Sequence, residues 1–293
     1  MSQVVLTDVV LRDGLQDEPV YVDVPARAEI ARSLLDAGLR RLEVASFVNP
    51  KRVPQMAGAE ELLAALPRLD GVVYSGLSLN PRGAERAVAS GIDELNLVVS
   101  ASDGHSRANA GRSTDAALAE IGEFCRAHPD VAVTGAVSTA FSSPFEPDGT
   151  VPAARIIAIA TRLAGLGVTR IGLADTVGTG APQHIEDVMR TLLGELSGVE
   201  FSLHLHDAHG RALDTVDRAV ELGIVHFDGA LGGYGGCPFA PGAHGNLATE
   251  ALVDHLHRRG VTTGVDAAAL SRAADLLRRA LSTATPIEQP GER

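Results

Sequence analysis

Gly167-Val168-Thr169-Arg170-Ile171-Gly172 closes a segment of helical period and opens a β-branched run, and its grammar recurs along the chain. Gly38-Leu39-Arg40-Arg41-Leu42-Glu43, Gly91-Ile92-Asp93-Glu94-Leu95-Asn96 and Gly223-Ile224-Val225-His226-Phe227-Asp228 follow the same order. Each glycine can take the left-handed conformation that ends a helix, and an apolar residue then starts the next strand. Outward from these junctions, strands are predicted near 4–8, 41–45, 73–79, 94–99, 132–137, 170–174, 200–204 and 226–230. Helices fall between them near 25–37, 59–66, 82–90, 114–127, 152–166, 182–196 and 211–222, followed by 247–259. Strict alternation means parallel strands joined by right-handed crossovers. About eight such units in roughly 260 residues match a closed (β/α)8 TIM barrel. A doubly wound open sheet competes, but its glycine-rich dinucleotide fingerprint is missing after the first strand.

The barrel is expected to occupy residues 1–264, with a short extra C-terminal helical segment and tail over 265–293. Asp266 is a plausible N-cap for that helix, which runs to about Leu281. The last residues, Thr285 to Arg293, are expected to be disordered. Glu43, Asn96, Gly172 and Asp228 hold equivalent places in the repeat, which suggests an interior that turns polar near one end. In this fold that end is the C-terminal face, where active sites sit. Loops over 100–113, 138–151 and 229–246 are long and rich in Gly, Ser or Pro, as functional loops often are.

Composition narrows the function. Hydrophobic residues make up 45% of the 293-residue chain, enough for a sizeable core. Aromatics are only 3%, so that core must be built from Ala, Leu, Val and Ile. A net charge of -12 argues against nucleic acid, whose recognition needs a basic face. No stretch approaches a membrane helix and no secretory signal opens the chain, so a cytoplasmic protein is expected. Cys125 and Cys237 offer no disulfide framework.

Chemistry concentrates at the strand ends. In Phe201-Ser202-Leu203-His204-Leu205-His206-Asp207, alternation puts His204 and His206 on one face, where they either cap a strand or share a metal ion. Leu11-Arg12-Asp13-Gly14 ends the first strand, so Arg12 and Asp13 are either an exposed ion pair or a fixed cation beside an oxygen ligand. Asn246 is either a fourth ligand or an N-cap. Two His, one Asp and one Asn form a mixed N/O set that suits Mg2+ or Mn2+ with open positions better than closed tetrahedral zinc. Cys237, between Gly236 and Pro238, is either inert packing or a thiol that acts as acid or base, whereas Cys125, in mid-helix, reads as inert.

Several of these motifs together resemble 3-hydroxy-3-methylglutaryl-CoA lyase. They are Arg12-Asp13-Gly14-Leu15-Gln16, Glu43 with Ser46-Phe47-Val48, Val53-Pro54-Gln55-Met56, and Asp175-Thr176-Val177-Gly178. His204-x-His206-Asp207 and Gly235-Gly236-Cys237-Pro238 followed by Gly245-Asn246-Leu247-Ala248-Thr249-Glu250 complete the set. The resemblance implies a metal-dependent TIM-barrel lyase that cleaves 3-hydroxy-3-methylglutaryl-CoA to acetyl-CoA and acetoacetate. It implies Asp13, His204, His206 and Asn246 as metal ligands, Arg12 at the thioester enolate and Cys237 as the proton donor. Glu43 and Asp175 would then support the site. The chain departs from the family pattern at Val10-Leu11, Asp103-Gly104-His105, Ala208-His209 and the cysteine-free Thr139-Ala140-Phe141-Ser142-Ser143, and oligomeric state is left open.

Lys51, the chain's single lysine, and Arg52 follow the second predicted strand, where they would meet a CoA phosphate or the substrate's free carboxylate, or remain solvated charges. Rival readings are a condensing acyltransferase of the isopropylmalate or citramalate synthase type, a pyruvate-releasing aldolase, and a non-catalytic metal- or acyl-CoA-binding module.

Overall fold

The computed structural model describes residues 3–236 and 245–287. In chain order the strands are β1 (Val5–Asp8), β2 (Val20–Tyr21), β3 (Arg41–Ser46), β4 (Val73–Ser78), β5 (Glu94–Ser100), β6 (Val133–Ser138), β7 (Arg170–Asp175), β8 (Glu200–Leu205), β9 (His226–Gly229) and β10 (Thr285–Pro286). The helices are α1 (Val24–Asp36), α2 (Ala59–Ala65), α3 (Pro81–Ala89), α4 (Asp103–Ala110), α5 (Thr114–Ala127), α6 (Ala153–Gly165), α7 (Pro182–Glu195), α8 (Ala212–Glu221), α9 (Thr249–Arg258) and α10 (Ala267–Thr283). β1 and β3 to β9 form a closed parallel barrel in sequence order, and β9 returns to pair with β1. The TIM barrel read from the junction repeat is therefore the fold. All four junction glycines are left-handed, with φ of +100° at Gly38, +75° at Gly91, +89° at Gly167 and +91° at Gly223.

Outward-facing Leu42, Leu95, Ile171, Leu203 and Leu205 are buried between barrel and helices, where each apolar side chain contributes about 1.5–3 kcal/mol. Asp266 does cap α10, accepting from the backbone N–H of Ala268 and Ala269.

Four local features differ from the sequence reading. The first strand stops at Asp8, as its predicted bounds have it, but Arg12 and Asp13, read as ending that strand, ride on a π-helical turn, Val10–Gly14. Such turns widen the backbone by one residue and favour functional sites. The loop expected over 100–113 contains α4, whose weak apolar stripe hid it from a periodicity reading. Thr285–Pro286 is not disordered but pairs antiparallel with Val20–Tyr21, whose backbone groups supply its ladder partners. The barrel interior is also polar at its lower end: Glu94 pairs with Arg41 and with Arg170 Nη1 (2.9 Å), and Arg170 Nη2 donates to Glu200 (2.6 Å). Pairing makes these inward charges tolerable at that end of the barrel.

Asp8 ties the π-helical turn to the barrel. Its buried carboxylate accepts from Val10 N–H (2.9 Å) and from the Thr249 hydroxyl (2.6 Å) at the start of α9. Burial pushes this carboxyl from 3.8 up to about 7. A folded value raised above the unfolded one favours folding at low pH, and that contribution is lost as pH rises from 3.8 to about 7. Asp8→Asn cannot titrate, so its Tm should gain on the wild type across that window; parallel Tm-against-pH curves would contradict the account.

Candidate active site and metal centre

The C-terminal ends of the strands open on a cavity of about 160 Å3. Asp13 hangs into it from the π-helical turn, His204 from the end of β8 and His206 from the residue just beyond that strand. The Nε2 atoms of the two histidines are 3.2 Å apart, and Asp13 Oδ2 lies 3.5 Å from His206 Nε2 and 3.8 Å from His204 Nε2. Two donors at about 2.1 Å from one ion, at right angles, stand about 3 Å apart, so the imidazole spacing suits a shared cation. These three residues form a group able to hold a metal ion.

Asn246 joins them by backbone pairing. It sits opposite His206 in an antiparallel bridge, flanked by Asp207 N–H to Gly245 O (3.2 Å) and Leu247 N–H to Leu205 O (2.9 Å). Its amide nitrogen donates to Asp13 Oδ2 at 2.6 Å, and a half-turn of the amide would present its oxygen there. The N-cap alternative is excluded, because α9 starts at Thr249 with Ala248 in the cap position.

A second group holds the first in place. His204 Nδ1 lies 3.2 Å from Asp228 Oδ2, which fixes the ring so that Nε2 faces His206. Arg12 donates from Nε to Glu43 (2.6 Å) and pairs with Asp13 through Nη1. Burial pushes the Asp13 carboxyl up, but Arg12 and then the two histidines outweigh it and hold it well below the usual carboxylate range. Burial likewise pulls the Arg12 guanidinium down, while Asp13 and Glu43 outweigh it and keep it charged. Arg12 and Asp13 are thus no exposed ion pair: their side chains are 12% and 9% exposed.

Glu43 and Ser46 both line the cavity although three positions separate them. The β3–β4 register slips between Glu43 and Ala45, and this bulge turns both side chains inward. Glu43 also accepts from Asn96 Nδ2 at 2.7 Å, joining two of the repeat positions, and burial raises its carboxyl despite Arg12. Asp175 does not line the cavity. It accepts from Ser142 Oγ (2.7 Å) and Gly180 N–H (2.9 Å), and burial raises its carboxyl. Nearby Gly178 is left-handed, and a Cβ there would fall 2.8 Å from the carbonyl carbon of His206. Asp175 is therefore placed to hold the turn that backs His206.

Lys51 and Arg52 are exposed on the loop after β3 and do not line the cavity. Cys237 lies outside the described residues, although Gly236 before it lines the cavity. Cys125 is half-buried in α5, where burial raises its thiol. The sequence reading did not single out Gln16, Ser46, His105 and Asn109 as site residues, yet all four line the cavity. Gln16 Oε1 and Ser46 Oγ are buried there without a protein partner, a cost a bound polar ligand would relieve. Their only signal was position: Gln16 ends the Arg-Asp-Gly-Leu-Gln run and Ser46 follows a bulge that periodicity does not show.

The family model described as HMGL-like matches residues 3–277. The chain belongs to the HMGL-like family. It is a carbon–carbon lyase, as its named homologues are, and the resemblance drawn from its motifs is borne out. It is 41% identical to (R)-citramalyl-CoA lyase of Chloroflexus aurantiacus over 98% of this chain and 93% of that one. It is 35% identical to hydroxymethylglutaryl-CoA lyase YngG of Bacillus subtilis over 97% and 95% of the two chains. Among solved structures, an HMG-CoA lyase from Acinetobacter baumannii in complex with coenzyme A and 3-methylmalate superposes with a TM-score of 0.92. That match has 36% identity and covers 98% of this chain and 93% of the other. Among the described residues, no helix of this HMGL-like protein is long and apolar enough to cross a membrane.

If Asp228 orients His204 toward a cation, Asp228→Ala should weaken Mn2+ binding by roughly 10–100-fold in a titration followed by electron paramagnetic resonance. Unchanged affinity would show that His204 needs no such support.

Proposed function

We propose that the protein cleaves 3-hydroxy-3-methylglutaryl-CoA to acetyl-CoA and acetoacetate, or a close 3-alkyl homologue to acetyl-CoA and the matching 3-oxo acid, by retro-Claisen cleavage. The observation that carries this reading is the Arg12 guanidinium, locked by Glu43 beside the Asp13, His204 and His206 group. With Asn246, that group would hold Mg2+ or Mn2+, whose chemistry is to polarise the substrate oxygens and acidify the 3-hydroxyl. Once the 3-hydroxyl gives up its proton, the bond between C2 and C3 breaks and its electron pair moves onto the thioester. A fixed cation must meet the charge that develops on the thioester oxygen, and Arg12 is the cavity's charged guanidinium next to the ligand group. Cys237, which follows cavity-lining Gly236, would return a proton to the departing carbon. Lys51 and Arg52, exposed on the loop after β3, are offered to the phosphates of the CoA.

One observation favours a second substrate. The relative with 41% identity is named for (R)-citramalyl-CoA, whose carboxylate sits directly on the hydroxyl-bearing carbon. The same bond cleavage would then release pyruvate with acetyl-CoA. Each acyl-CoA, incubated with the Mn2+-loaded protein, tests the reading through acetyl-CoA and the matching oxo acid. Chelation should abolish product and Mn2+ should restore it. Release of free CoA without acetyl-CoA, or turnover that survives exhaustive chelation, would overturn the proposal.

Arg12→Lys keeps the charge but loses the planar fork of donors, so kcat should fall by roughly 10²–10³-fold, the scale of one lost oxyanion donor. A normal kcat with a raised KM would reduce Arg12 to a binding residue. Cys237→Ser should retain Mn2+ binding while losing most turnover, because a hydroxyl is a far weaker acid than a thiol. Full activity in Cys237→Ser would remove the thiol from the reaction.

A further inference from the structure

The two candidate substrates differ by one methylene, placed between the hydroxyl-bearing carbon and the carboxylate. The cation-binding group occupies one side of the barrel mouth, with Asp13 following β1 and the histidines ending β8. These two strands flank β9, and in the closed strand order β5 stands opposite β9. The helix that follows β5 is α4, so His105 and Asn109, four residues apart on that helix, face the ligand group across the cavity. Resting on the lyase reading above, we propose that His105 is the specificity-determining wall of the cavity, fixing how long an acyl chain fits between α4 and the metal-binding group.

The wall is rigid. His105 is only 1% exposed, and its Nδ1 lies 3.0 Å from Ser100 Oγ, which is 2.7 Å from Thr139 Oγ1. Thr139 holds a left-handed backbone (φ +46°), unusual for a branched residue, and its N–H donates to Thr176 Oγ1 at 2.8 Å. Three adjacent strand ends, those of β5, β6 and β7, thereby support one imidazole. From behind, the ring meets Phe145 edge-on with centroids 6.3 Å apart. The helix also packs closely on that loop, since a Cβ on Gly104 would fall 2.7 Å from the Phe145 Cβ. A wall held by these contacts discriminates by length. Burial also pulls the His105 pKa down to about 4, so the ring is neutral at physiological pH and offers a substrate carboxylate no charge.

The test is the ratio of kcat/KM for 3-hydroxy-3-methylglutaryl-CoA over that for citramalyl-CoA, measured with Mn2+-loaded wild type, His105→Ala and His105→Phe. One methylene in a closed pocket is worth roughly 10–200-fold. His105→Ala should therefore raise the ratio at least about tenfold, and the bulkier His105→Phe should lower it. A purely structural role would depress both substrates alike and leave the ratio unchanged, which overturns the proposal. Should His105→Ala fail to fold, His105→Gln and His105→Phe still decide: a ratio equal to wild type in both refutes the wall. If the wild type cleaves neither acyl-CoA, the lyase reading itself fails; if it cleaves one and no His105 variant moves the ratio, only this inference does.

Discussion

A buried guanidinium between two carboxylates is the constraint on which the rest of the site depends. Taking Arg12, Asp13 and Glu43 out of water costs several kcal/mol per ion unless geometry and further hydrogen bonds offset it. Each member has such support: Asn96 donates to Glu43, Asn246 donates to Asp13, and the π-helical turn that carries Arg12 and Asp13 is pinned by Asp8. The result is a cation and an anion kept ionised side by side at the cavity wall, independent of solvent. Preorganised charge of this kind needs no reorganisation when a reaction develops charge of its own.

The barrel makes this arrangement affordable. Residues separated by 233 positions in sequence, as Asp13 and Asn246 are, meet beyond the strand ends because closure brings those ends together. Below the site, Arg41, Glu94, Arg170 and Glu200 pair with one another inside the barrel, so the polar interior continues without a lone buried charge. Around the rim, the support differs by sector. The side that carries Asp13, His204 and His206 is tied by hydrogen bonds among the segments there, whereas His105 of α4, on the opposite side, contacts Phe145 and the Ser100–Thr139 pair.

Most of the fold was legible because its signals are local. The junction glycines and the β-branched runs fall where the strands do, and His204 and His206 share a face by alternation alone. The ligand group was legible only in part: alternation places the histidines together, but their meeting with Asp13 and Asn246 is a product of closure. Three things escaped for physical reasons. A π-helical turn has no periodicity of its own, so Arg12 and Asp13 read as a strand end. The bulge after Glu43 reverses side-chain parity, which concealed Ser46. The helix α4 is polar and short, so His105 passed for a loop residue.

The most direct measurement is cleavage of the proposed acyl-CoA substrate in D2O, with mass analysis of the acetyl-CoA released. The proposed retro-Claisen route passes through a carbanion equivalent, which the proposal has Arg12 stabilise, so the acetyl group should carry a single solvent deuterium. Acetyl-CoA free of deuterium, or a product pool holding only free CoA, would contradict the account.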